Sequence, residues 1–158
     1  MFRRIDVRLL VGMVYLCASW HAGARAAAPN SLEIVITGGP RAGTYKAPDV
    51  ICLHVKKQGQ FSAASKVFDA QAAGALSEAG ISVANVDETG AKRGEVRIAF
   101  IGSSPSQPTV YDVVIPRDSP GPLNVTKTAT QTDLSFQGQA KGGIQLRVTA
   151  KCGDIDEM

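Results

Sequence analysis

Apolar and polar residues alternate with a period of two along much of this chain, the spacing of a strand with one buried face. Leu32, Ile34 and Ile36 alternate with Glu33, Val35 and Thr37 before Gly38-Gly39-Pro40 stops the run. Residues 50–56 repeat the pattern, with Ile51, Leu53 and Val55 on one face. Further strands are predicted at 81–86, at 95–101 (Val96, Ile98 and Phe100 together), at 109–115 and, more weakly, at 123–130. Residues 134–137 and 144–152 read as a closing hairpin turned by residues 138–143. Runs rich in Gly, Pro and Ser, such as SSPSQP at 103–108 and RDSPGP at 117–122, punctuate these segments.

Residues 61–80 fit the pattern less well. Phe61-Ser62-Ala63 reads as an edge strand, and the alanine-rich 69–79 (DAQAAGALSEA) as a candidate short helix that Gly74 weakens. Seven to eight short strands without a βαβ rhythm predict an all-β fold. The expected architecture is a single antiparallel β-sandwich over 29–153. Phe61, Phe68, Phe100 and Phe136 are its heaviest core residues. Residues 154–158, with Asp154, Asp156 and Glu157, read as a frayed acidic tail, since a calcium site needs about six to eight oxygens in a defined loop.

The first 28 residues differ in kind. Arg3, Arg4 and Arg8 precede an apolar run from Leu9 to Trp20, too short to span a bilayer, and then the small residues AGARAAA. This is the layout of a secretory signal peptide cleaved between about 26 and 29. A short anchor and a twin-arginine signal are the alternatives, and both fit less well. No stop-transfer run follows, and Asp6-Val7 stand where a twin-arginine signal carries bulky apolar residues. Cys17, preceded by Val14-Tyr15-Leu16, is a poor lipidation site.

Removing that segment changes the electrostatics. Arg3, Arg4, Arg8, Arg25 and Asp6 leave, so Lys+Arg falls from 17 to 13 and Asp+Glu from 14 to 13. The +3 charge becomes about neutral, and with it the case for nucleic acid disappears. The only Trp leaves too. Cys52 and Cys152 remain, and an even count in an exported chain predicts a disulfide. It would close a loop of about 100 residues, worth about 4.7 kcal/mol in the chain-entropy model. Two buried free thiols are the alternative.

Catalytic constellations are sparse. His54 is the one histidine after residue 28 and shares a strand face with Cys52, so a Cys52/His54 nucleophile pair is the best enzymatic reading, though it needs a reduced Cys52. There is no G-x-S-x-G elbow, phosphate loop or dinucleotide fingerprint, and too few Cys and His for zinc. No cofactor or metal is expected.

The run Ile36-Thr37-Gly38, Gly43-Thr44-Tyr45 and Val50-Ile51-Cys52 resembles the opening of the mycobacterial lipoprotein-antigen family. Leu134-Ser135-Phe136-Gln137-Gly138 through Ile144 to Cys152 is similar to that family's closing hairpin and final cysteine. The likeness implies a surface-associated, non-enzymatic small β-sandwich with one disulfide, and departs from the family in lacking a lipobox around Cys17. The leading expectation is an exported, non-enzymatic binding module whose partner is a protein or envelope component. Its candidate contact loops are 39–48, 103–108 and 117–122. The alternatives are a small apolar-ligand carrier and the Cys52/His54 enzyme.

Overall fold

Leu32, Ile34 and Ile36 point the same way from strand β1 (Ser31–Thr37) and are almost fully buried, while Ser31, Glu33 and Thr37 are exposed. The same two-residue period builds the other long strands. A computed structural model describes residues 28–66, 72–86, 93–102, 108–115 and 123–158. The expected signal segment up to residue 27, Phe68, and most of the 103–108 and 117–122 runs lie outside the described residues.

The chain forms a hairpin of β1 and β2 (Gly43–Ala47), then crosses to a second sheet. There it runs as a meander through β3 (Ile51–Val55), β4 (Gln60–Lys66), β5 (Leu76–Ala84), β6 (Arg93–Phe100) and β7 (Thr109–Ile115). It returns to the first sheet for β8 (Leu123–Lys127), β9 (Thr132–Gln139) and β10 (Gln145–Cys152), and crosses once more to the short β11 (Asp156–Glu157). The five-stranded sheet has the order β2-β1-β10-β9-β8 and the six-stranded one β11-β3-β4-β5-β6-β7. All neighbours are antiparallel except β11, which lies parallel to β3. The two apolar faces share one core. Leu32, Ile34, Leu134, Phe136, Leu146 and Val148 of the first sheet join Phe61, Ile81, Val83, Val96, Ile98 and Phe100 of the second. Burying each such side chain contributes about 1.5–3 kcal/mol.

The all-β, two-sheet expectation matches the fold, but the strand count does not: the described residues contain eleven strands rather than seven to eight. Three readings need correction. Residues 76–79 of the candidate helix are strand. β5 is paired on both sides, with β4 and β6, and its alternating Ala79, Ile81 and Val83 enter the core, so tertiary pairing overrides alanine's helix preference. Residues 72–75 form a turn instead, with Gly74 at φ +87° donating its N–H to Ile101 O at 2.7 Å. Phe61-Ser62-Ala63 belongs to an interior strand seven residues long, not an edge. Residues 43–47, read as part of a loop, are edge strand β2, too short to show a period of its own.

The acidic end is also engaged. Asp156 and Glu157 pair with Leu53 and His54 along the edge of β3. Met158 N–H donates to His54 O, and Lys56 N–H to Met158 O, both at 3.0 Å. The crossover leading there is held from three sides. Cys52 of β3 and Cys152 of β10 form a disulfide between the sheets, with Cα atoms 5.9 Å apart. Asn30 Oδ1 accepts from the N–H groups of Gly153 and Asp154, each at 3.0 Å. Its Nδ2 donates to Asp154 O at 2.8 Å and Val50 O at 3.3 Å. Gly153 is where the backbone of Ala28 comes close, and a Cβ there would overlap it.

Candidate functional site

Three described turns meet at one end of the two sheets. Ile36 is in register with Gly43 on one side and Leu146 on the other, so the 38–42 turn and the 140–144 turn emerge together. Phe100 is in register with both Leu76 and Thr109, which brings the 72–75 turn, the end of β6 and the start of β7 to the end of the second sheet. Gly39 joins the two groups. At φ +73° it needs no side chain, and a Cβ there would meet Ile144 Cδ1 and lie 3.9 Å from Tyr111 Oη.

Phe100, fully buried, is the centre of this end. Tyr45 meets its ring edge-on at 4.9 Å between centroids, and Tyr111 does so at 6.2 Å. Such pairs contribute about 0.5–1.5 kcal/mol beyond the area they bury. The guanidinium of Arg41 lies over the same ring, with Cζ 5.6 Å from its centroid, within cation–π range. Tyr45 Oη donates to the backbone oxygen of Arg41 at 3.0 Å, which fixes the turn carrying it. Arg41 Nη1 packs against Gly74, where a Cβ would collide with it.

The polar atoms of this cluster are incompletely matched. Arg41 Nε and Tyr111 Oη are both buried without a hydrogen-bond partner in the protein. Tyr111 is only 7% exposed, while Arg41 is partly exposed. Leaving a buried donor unpaired costs about 1–3 kcal/mol, more when it is charged. Among the described residues no carboxylate forms an ion pair with Arg41. Two ion-paired centres among the described residues lie elsewhere. Arg97 holds Asp112 at 3.0 Å and Glu78 at 3.4 Å on the outer face of the second sheet. The field of Asp112, then the hydrogen bond to Glu78, raises the Arg97 pKa. Lys56 pairs with Glu157 at 2.5 Å across the β3–β11 edge, and its hydrogen bond lowers the Glu157 pKa.

Of the residues singled out from sequence, Cys52 and Cys152 are joined in the disulfide, so the Cys52 sulfur is bonded rather than poised as a thiolate. His54 sits two residues away in β3, its ring 5.7 Å from that of Phe61. Of the three candidate contact loops, 39–48 comes to the Phe100 end and supplies Arg41 and Tyr45, while residues 103–107 and 117–122 lie outside the described residues. The Phe100 and Tyr111 contributions were hidden in the sequence because both occupy inward positions of ordinary-looking strands. A groove of about 500 Å³ is open, and Glu33, Lys46, Thr149 and Lys151 line it on the outer face of the first sheet. The space between the sheets holds Phe61, Phe100 and Phe136. Among the described residues no group of three or more His, Cys, Asp or Glu side chains is placed to hold a metal, and no helix is long and apolar enough to cross a membrane.

No family model, curated protein or solved structure matches this chain.

Proposed function

We propose that the chain is an exported, non-enzymatic β-sandwich that binds a protein or envelope component through the Phe100 end. The observations that carry this reading are the Arg41 guanidinium, laid on the Phe100 ring with no ion-pair partner among the described residues, and the buried, unpartnered hydroxyl of Tyr111, whose ring packs on Phe100 too. Protein interiors satisfy their buried polar groups, so a pair left open where three turns meet supports a ligand contact. The Cys52–Cys152 bridge is compatible with an oxidising compartment beyond the membrane, in line with the signal-like first 28 residues. The likeness of residues 36–52 and 134–152 to the mycobacterial lipoprotein antigens is in keeping with a surface-associated role.

The test compares the exported protein with its Arg41→Gln variant, each immobilised and exposed to envelope extract. The wild type is expected to retain a component that Arg41→Gln releases. Equal recovery by both, or recovery at the level of a blank surface, refutes the reading. Intact mass and thiol titration of the same sample report cleavage between 26 and 29 and the absence of free thiols.

A further inference from the structure

We infer that Arg41 and Tyr111 receive a carboxylate group of the bound partner, an inference that rests on the binding role proposed above. Arg41 Nε and Tyr111 Oη are both buried without a partner, and both side chains pack on Phe100. A guanidinium has donors only, and a phenol offers its O–H as a second donor, so the complementary group is rich in acceptors. Charge selects among such groups. Arg41 is one cation with no ion-pair partner among the described residues, and it balances a single negative charge. A phosphate dianion would bring a second charge into a partly desolvated site, which is strongly disfavoured. Phe100, Gly74 and the Tyr45 hydrogen bond to the Arg41 backbone hold the guanidinium in place before any ligand arrives, which lowers the ordering cost of binding. A planar fork matched to a planar carboxylate also means that lysine will not substitute for Arg41.

The experiment follows the Nε–Hε signal of Arg41 by NMR in the exported, oxidised protein. Acetate, inorganic phosphate and chloride are titrated in parallel at matched ionic strength. Acetate is expected to give a saturable shift that chloride does not. Arg41→Lys should lose acetate binding, followed there by the backbone amides of residues 39–42. Tyr111→Phe, which keeps the ring and loses the hydroxyl, should weaken acetate about tenfold. Absence of a saturable shift, tighter binding of phosphate than acetate, or undiminished binding in both variants overturns the inference. Tyr111→Phe carries the test if an Arg41 variant fails to fold. Retention of an envelope component that Arg41→Gln releases, with no acetate shift, removes the carboxylate and leaves the binding role standing. An acetate shift with no envelope component recovered does the reverse.

Discussion

Replacing Asn30 with alanine tests how the crossover between the sheets is held. The side chain makes four hydrogen bonds that tie the start of β1 to the β10–β11 crossover and to Val50. Each intramolecular hydrogen bond contributes about 0.5–1.5 kcal/mol net, and less where water replaces it readily. The bonds to Gly153 N–H and Val50 O are partly buried, while the two to Asp154 are exposed. Weighting the first pair fully and the second lightly gives a loss of about 2 kcal/mol for Asn30→Ala. In a domain of this size that lowers Tm by roughly 8 °C. Asn30→Asp keeps the acceptor for Gly153 and Asp154 but loses the donor, so it should show about half the loss. Urea and thermal unfolding of the oxidised protein measure both. The disulfide restrains the same crossover, so the Asn30→Ala loss should be smaller in a Cys52→Ala/Cys152→Ala background. An Asn30→Ala protein within about 0.3 kcal/mol of wild type would show that the crossover is held without this side chain.

Other consequences can be checked independently. Cys52→Ala/Cys152→Ala should lose about 2–5 kcal/mol in urea unfolding, given the separation of 100 residues. Gly94→Ala should lose about 1–3 kcal/mol by the same assay, because its Cβ would press on the Ser82 carbonyl and lie 2.7 Å from Leu123 Cδ2. Arg97→Ala should cost under about 1 kcal/mol, since its partners Asp112 and Glu78 are as exposed as it is. The Glu157 pKa is depressed by the Lys56 hydrogen bond, so the contact is fully present above the ordinary glutamate value of 4.5 and is lost as pH falls through the lower folded value. Exchange protection of the Lys56 and Met158 amides should therefore drop on acidification below 4.5, and Lys56→Ala should abolish that pH dependence.

Much of the sheet structure was legible because burial follows a period of two. Leu32-Ile34-Ile36, Val96-Ile98-Phe100 and Leu146-Val148-Ala150 all face the core as the alternation requires. Where pairing rather than pattern sets the structure, local reading fails. The alanines of β5 carry no strong strand signal, yet Ala79 lies opposite Ser65 and Ile98 in neighbouring strands. The acidic residues of β11 look solvated, and they are, but their backbone completes the β3 edge. The Phe100 end shows the same limit. Its loops could be named from composition, but nothing near Arg41 in the chain indicates that its guanidinium lies on a ring 59 positions later. Phe100 and Tyr111 look like core residues, and both are; only the unpartnered atoms around them mark the place.

The pairing of β1 with β10 sets the order in which the first sheet can close. Residues 31–37 find their second neighbour only at 145–151, and Cys52 finds its partner only at 152. A chain emerging N-terminus first holds Leu32, Ile34 and Ile36 beside β2 alone until β10 has arrived, and such distant pairings form slowly. The strand order thus acts as a delay. It keeps the first sheet open until β10 is available, after which β1, β10 and the disulfide can lock together.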